Sequence, residues 1–205
     1  MIIECAGLPG AGKTTVCNHV AVAHGGKGSV PLIAMRFDSA FLSAAWSIAA
    51  LCLGARPFRL ERLKRGFNLA VFLRHYRDRR KTILFDQGIV QKIWSILADA
   101  ENYSGQGLAE VMAALKPSAP DVVVWLETPL AEAVGRMARR QGGRSRYDEL
   151  GEDEARDILA LRAALLRRIA EDFCAVTGAR MVQLDGSCEP ASNAAQIDTL
   201  FRSRG

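Results

Sequence analysis

The residues Gly7-Leu8-Pro9-Gly10-Ala11-Gly12-Lys13-Thr14 complete the pattern G-x-x-x-x-G-K-T, directly after the apolar run Ile2 to Ala6. From about Lys13 to His24 the periodicity is helical, and Gly25-Gly26 supplies a natural stop. A strand that turns through three glycines into a helix constrains the fold more than any other feature of the chain. Phosphate oxygens need several convergent donors without steric obstruction, and glycines let backbone N–H groups curl around them at the positive end of a helix. The expected nucleotide contacts are Gly7, Gly10, Ala11, Gly12, Lys13, Thr14 and Thr15. Lys13 is expected to reach the β and γ phosphates of ATP, and Thr14 to offer its hydroxyl to magnesium.

The rest of the chain alternates short apolar runs with longer amphipathic segments, the pattern of a parallel sheet covered by helices. Five strands are expected: Ile2 to Ala6, Pro31 to Arg36, Thr82 to Phe85, Val122 to Leu126 and Met181 to Leu184. Helical spacing marks Phe58 to Tyr76, Ile89 to Ala100 and Leu108 to Leu115. Thr128-Pro129 reads as the start of another helix, with threonine as N-cap and proline in its first turn. The longest helix, about Glu152 to Val176, ends at Gly178, and Pro190 lies near the start of the last. No repeat or Pro/Ser-rich linker divides the 205 residues, so one domain is expected over 1–205.

Composition narrows the class. Hydrophobic residues at 49% and charged residues at 24% exclude a disordered or fibrous chain. The longest uncharged stretch, Phe41 to Ala55, is shorter than the ~20 residues of a membrane span. Met1-Ile2-Ile3-Glu4 has no basic secretory region, and a cytoplasmic location without a membrane partner is expected. Five scattered cysteines without a C-x-x-C pair read as free thiols, and the three histidines lack zinc-site spacing. A net charge of +5 suits anionic phosphates as well as nucleic acid, so the placement of the arginines decides between them.

Three further features carry chemistry. Thr82-Ile83-Leu84-Phe85-Asp86 is an apolar strand ending in a carboxylate, which reads either as the second magnesium-site acid opposite Thr14 or as the cap of the following helix. Asp38 falls just after the second expected strand, at the edge where open α/β sheets bind ligands. It reads equally as a general base and as the N-cap of the apolar run Phe41 to Leu53. That run, with Trp46, fits an acceptor pocket, a core helix or a homodimer face. Between Arg136 and Asp148, RMARRQGGRSRYD holds five arginines and a glycine pair, with almost nothing apolar to anchor it. Such a segment reads as a basic flap closing over transferred phosphate oxygens, or as a solvated or RNA-contacting loop. The near absence of interleaved aromatics argues against base stacking, and no nucleic-acid partner is expected.

Gly7 to Thr14, the strand-end Asp86, and Leu126-Glu127-Thr128-Pro129 leading through Arg136-Met137-Ala138-Arg139-Arg140 to Arg144 together resemble the thymidylate-kinase-like group of P-loop nucleoside, nucleotide and small-molecule kinases, over nearly the whole chain. The resemblance implies an α/β three-layer sandwich with a five-stranded parallel sheet in the order 2-3-1-4-5 and an arginine-rich LID at about 136–150. It further implies that Arg136 lies against the adenine, that Arg140 and Arg144 are catalytic LID arginines, and that Asp185-Gly186 borders the base. Arg65 stands about where nucleotide kinases grip an acceptor phosphate, with Arg62 and Arg74 as alternatives in register. Two departures bear on the acceptor. Asp86-Gln87-Gly88 replaces the group's D-R-x, and Arg36-Phe37-Asp38-Ser39 replaces the E-P-G-G-type loop of thymidylate kinases. An Asp at that position resembles small-molecule kinases in which it takes a proton from the acceptor hydroxyl.

The reading is an ATP- and Mg2+-dependent phosphotransferase acting on a small molecule. A hydroxyl acceptor served by Asp38 is favoured over a nucleoside monophosphate held by Arg65, and a regulatory or nucleic-acid-linked NTPase is the rival class.

Overall fold

The computed structural model describes residues 1–23, 38–76, 82–139 and 152–202. The elements run β1 (Ile2–Ala6), α1 (Lys13–Ala23), α2 (Ser39–Gly54), α3 (Leu60–Phe72) with a 3-10 turn at Leu73–Tyr76, β2 (Ile83–Phe85), α4 (Ile89–Leu97), α5 (Gly105–Leu115), β3 (Val122–Glu127), α6 (Leu130–Ala138), α7 (Glu152–Thr177), β4 (Arg180–Asp185) and α8 (Pro190–Arg202). Among the described residues the sheet has four parallel strands in the order β2-β1-β3-β4, against the five in the order 2-3-1-4-5 that the resemblance implies. The segment read as the second strand, Pro31 to Arg36, lies outside the described residues. The four strands stand side by side as the third, first, fourth and fifth of the expected series.

Side chains of one strand alternate between the two faces of the sheet, which splits the apolar residues into two cores. Ile2 and Ala6 of β1 join Val123 and Trp125 of β3 in a core shared with α2 to α7. Ile3 and Cys5 join Val122, Val124 and Leu126 under α1 and α8. Burial on both faces explains why these strands read as continuous apolar runs. Trp94 of α4 is inserted into the larger core, where its indole N–H donates to the Arg162 carbonyl at 3.1 Å.

The exception to the apolar pattern is Glu4, fully buried in the middle of β1. Its Oε2 accepts from the Tyr76 hydroxyl at 2.7 Å and from the Ile89 N–H at 2.8 Å, while Oε1 accepts from the Val90 N–H at 3.0 Å. The first N–H groups of a helix have no partner within the helix, and here a carboxylate from the sheet serves the start of α4. A Cβ on Gly88, which precedes α4, would overlap that carboxylate. Tyr76 in turn stacks on Phe85 at 4.8 Å between ring centroids, so the end of α3, the end of β2 and the start of α4 converge on one buried acid.

Two helix starts differ from the expectation. Helix α5 begins at Gly105 rather than Leu108, because Ser104 caps it by accepting from the Gly107 N–H at 3.0 Å. Helix α6 takes Pro129, not Thr128, as its N-cap. The Thr128 hydroxyl is buried and directed to the Ala11 carbonyl at 3.5 Å, which removes it from the helix terminus.

Burial raises the pKa of Glu4 above its ordinary value of 4.5, against the opposing hydrogen bonds from Tyr76, Val90 and Ile89. A carboxyl whose folded pKa is raised contributes stability that is complete below the unfolded pKa and is lost as pH rises through the folded one. The unfolding free energy of the native chain relative to Glu4→Gln is therefore expected to fall as pH is raised above 4.5. Urea denaturation of both proteins at successive pH values measures that difference; a flat or rising difference contradicts the assignment.

Candidate functional site

Positive φ at Gly7 (148°), Gly10 (82°) and Gly12 (90°) bends the loop after β1 into a cradle. The turn is closed by the Ala11 N–H, which donates to the Leu8 carbonyl at 3.0 Å. Added side chains have no room at two of the glycines. A Cβ on Gly10 would overlap the backbone carbonyl of Ala133 in α6, and one on Gly7 would come within 2.7 Å of the Leu126 carbonyl. Lys13, the first residue of α1, is buried, and its Nζ donates to the carbonyls of Gly7 and Leu8 at 2.8 Å each. The ammonium is thereby held over the loop instead of extending into solvent.

Thr14 and Asp86 meet. The Thr14 hydroxyl donates to Asp86 Oδ2 at 3.0 Å, across 72 residues of chain. Parallel pairing sets Phe85, the last residue of β2, beside Glu4, two residues before β1 ends at Ala6, and the residue after β2 meets the first turn of α1. A hydroxyl and a carboxylate are the hard oxygen donors that magnesium takes a few of, so this pair fits the ion. Lys92, in the first turn of α4, lies near the same acid. Burial lowers its pKa, and the negative charge of Asp86 works in the opposite direction. Its ammonium also sits 4.4 Å from the centre of the Phe72 ring.

On the other side of the cradle, Arg136 at the end of α6 donates to the Gly186 carbonyl at 2.9 Å and pairs with Glu132 at 2.6 Å. A Cβ on Gly12 would lie 3.4 Å from Arg136 Nη1. The residues expected to flank the base, Arg136 and Asp185-Gly186, are thus neighbours beside the phosphate loop. Glu132 also accepts from the Ser187 hydroxyl at 2.7 Å, and Asp185 accepts from the Ser187 N–H at 2.8 Å, a bond that holds the Asp185 carboxyl below its ordinary pKa.

Asp38 stands immediately before α2 as its N-cap, exposed to solvent and accepting from the Phe41 N–H at 2.9 Å. Arg65 is engaged elsewhere. Its Nη1 donates to the Ser95 carbonyl at 2.8 Å and to Asp99 at 3.2 Å, six or more residues along α4 from the site. Arg62, fully buried, grips the same Asp99 at 3.3 Å and the carbonyls of Ile96, Ala55 and Pro57 at 2.7–3.0 Å. Both arginines tie α3 to the far end of α4. Helices α3 and α4 run antiparallel, so Arg74, whose Nε meets His75 at 3.4 Å, lies at the end of α3 nearer the cradle. Arg140 and Arg144 lie outside the described residues.

Sequence reasoning missed Glu4, Lys92 and Asp99. A charged residue inside an otherwise apolar strand was the available signal for Glu4. Lys92 and Asp99 carried none, because a cation or acid on a helix is ordinarily a solvated one.

Comparison with protein-family models finds no match, and comparison with curated proteins finds none. Solved structures do match in fold. Deoxyadenosine kinase from M. mycoides with bound dATP superposes with a TM-score of 0.58 at 16% identity, over 98% of this chain and 100% of that one. The same enzyme with the products dCMP and a flexible dCDP gives 0.57 at 16% identity over the whole of both chains. With bound dCTP it gives 0.56 at 17% identity, over 99% and 100%. The chain therefore has the fold of a P-loop nucleoside kinase.

Gly10→Ala is expected to be severely destabilising, by roughly 2 kcal/mol or more, since it combines positive φ with overlap onto a backbone carbonyl that cannot swing away. Urea denaturation measures the loss, and Gly105→Ala, where no atom lies within 4 Å of the added Cβ, is the control expected to be mild.

Proposed function

We propose that the chain is a kinase that moves the γ-phosphoryl group of ATP to a hydroxyl of a small molecule, with nucleosides the first acceptors to consider. The observation that carries this reading is the Thr14–Asp86 contact at 3.0 Å beside a buried Lys13 on the phosphate loop. A lone glycine turn does not assemble a buried cation and a hydroxyl–carboxylate pair at the same strand ends. Deoxyadenosine kinases of the same fold, solved with deoxynucleotides bound, support the nucleoside class.

In this reading the acceptor hydroxyl gives its proton to the Asp38 carboxylate as its oxygen attacks the γ-phosphorus, and the bond from that phosphorus to the bridging oxygen of ADP breaks. Cap and base are compatible roles. A carboxylate has about four lone-pair sites, and the Phe41 N–H takes one of them. Lys13 stabilises the charge that spreads over the β and γ oxygens, and Arg140 and Arg144 are assigned to the charge on the transferred group. Thr14 and Asp86 would hold magnesium, which would supply Lewis-acid stabilisation of the phosphate oxygens when bound. Arg136 and Gly186 border the adenine. The engagement of Arg65 by Asp99 weighs against a phosphate acceptor gripped at that position.

ATP turnover is expected to be low alone and to rise with nucleosides; stimulation by RNA or DNA instead would favour a nucleic-acid-linked NTPase, and by nucleoside monophosphates a nucleotide kinase. Lys13→Ala should nearly abolish transfer while leaving the fold intact by far-UV circular dichroism, with some loss of urea stability because the Gly7 and Leu8 carbonyls lose their shared donor. The two acids should separate kinetically. The defect of Asp86→Asn is expected to be partly relieved by raising magnesium. That of Asp38→Asn, on the order of 10²- to 10⁴-fold, should persist at any magnesium concentration. A nearly active Asp38→Asn enzyme would exclude base-assisted attack by a hydroxyl.

A further inference from the structure

Two thiols bracket the phosphate loop. Cys5 stands in β1 two residues before Gly7, and Cys17 stands in α1 three residues after Thr14. Both cysteines are free, and the Cys17 thiol donates to Cys5 Sγ at 3.6 Å. A disulfide bond is about 2.05 Å long, so the sulfurs need approach each other by only roughly 1.5 Å. Cys52 has a different partner, the Arg62 carbonyl at 3.4 Å. Burial divides the roles within the pair. Cys5 is fully buried in the aliphatic core with Val16, Val20 and Val124, whereas Cys17 is half-buried and open to a small oxidant.

The hydrogen bond to Cys5 and burial hold the Cys17 thiol above its ordinary pKa; the charge of Asp86 adds to this and that of Lys13 opposes it. The reduced pair therefore reacts slowly, and its outer sulfur lies within electrostatic reach of both groups. The effect of joining the sulfurs follows from the helix. Lys13 and Cys17 are i and i+4 in α1, one above the other on the same face. Lys13 Nζ is held by the Gly7 and Leu8 carbonyls, and the Thr14 hydroxyl by Asp86. Drawing the second turn of α1 towards β1 moves the first turn with it. A bond between Cys5 and Cys17 thus closes the phosphate loop into a covalent ring and shifts Lys13 and Thr14 from these partners.

We propose that Cys5 and Cys17 are a site of reversible oxidation, joined as a disulfide by a peroxide, and that the bond disables the phosphate loop it spans. The step balances. The Cys17 sulfur attacks one peroxide oxygen and the O–O bond breaks, leaving a sulfenic acid and one water that carries the thiol proton. The Cys5 sulfur then attacks the Cys17 sulfur, the S–O bond breaks, and the departing hydroxide takes the Cys5 proton as a second water. The two sulfurs lose two electrons, and the peroxide gains them. A dithiol reductant restores both thiols by exchange.

Trypsin cuts after Lys13 and Lys27, which places the two cysteines on separate peptides, 1–13 and 14–27. Hydrogen peroxide in excess over the native chain should yield these peptides joined, two hydrogens below their summed mass, and dithiothreitol should separate them. ATP turnover should fall by roughly tenfold or more as the joined pair accumulates, because a misplacement on the order of 1 Å costs about 10²-fold. Dithiothreitol should restore it. Cys17→Ser should keep its turnover through the peroxide treatment. The loss of turnover rests on the kinase reading, and the joined peptides do not. An untreated chain without turnover counts against that reading, while the peptide map still decides the pair. The proposal is overturned if both cysteines remain open to N-ethylmaleimide after peroxide, if the joined form keeps full turnover, or if Cys17→Ser is as sensitive to peroxide as the native chain.

Discussion

A carboxylate taken out of water must be met by donors, and Glu4 in the middle of β1 is met by three from two different elements. Two of the donors are the opening N–H groups of α4, and the third is the Tyr76 hydroxyl at the end of the α3 turn. Each of these groups is buried and would cost about 1–3 kcal/mol if left unpaired, so the acid fixes where α4 begins and where α3 ends. Between β2 and α4 only Asp86, Gln87 and Gly88 remain. With both ends of so short a connection held, Asp86 has little freedom other than to face Thr14, and the acid on the buried side of the sheet sets the geometry of the acid at its edge.

The phosphate loop depends on a different constraint, the closeness of its neighbours. Gly10 and Gly7 lie against the backbone carbonyls of Ala133 and Leu126, which pack the loop against α6 and the end of β3. Gly186 lies against Thr128 in the same way. Thr128 gives its hydroxyl to the loop carbonyl of Ala11, and α6 begins without a side-chain cap. A local stabilisation of about 1 kcal/mol at the helix start is thus forgone, and the hydroxyl instead lies 3.5 Å from the loop carbonyl, between the loop and the end of β3.

The features legible in the sequence were those in which one residue type has one physical meaning. Three glycines in a strand-to-helix turn, the apolar runs of buried strands and the glycine after α7, with φ of 82°, could be read without neighbours. What was not legible depended on partners far along the chain. Arg62 and Arg65 are spaced like surface cations, and nothing in their own segment announces Asp99, 37 and 34 residues away, as their common anion. Thr128-Pro129 reads as a cap and first turn because the local preference is real, and it is overridden by a carbonyl 117 residues earlier. Asp38 satisfied its cap reading, since that required only the residue three positions on. The apolar run of α2 was legible as a helix, but its division into a core face and a bare face depends on how α3 packs against it.

The same reasoning accounts for the third position of Asp86-Gln87-Gly88, the segment that stands in place of D-R-x. In the sequence it appears as the loss of an arginine, a departure in the acceptor site. In the structure the third position is dictated from below, because a side chain at Gly88 would occupy the space of the Glu4 carboxylate. A glycine there has its dihedral angles set by the tie between Glu4 and the first N–H groups of α4. The positive charge near Asp86 then comes not from the second position but from Lys92, one turn into α4, where its stem is half-buried and its ammonium rests against Phe72. A cation carried on a helix whose start is fixed by three hydrogen bonds is more narrowly placed than one carried on a three-residue connection. The buried acid in β1 and the lysine on α4 are in this sense one device: the first fixes the helix that the second uses to stay within the field of Asp86.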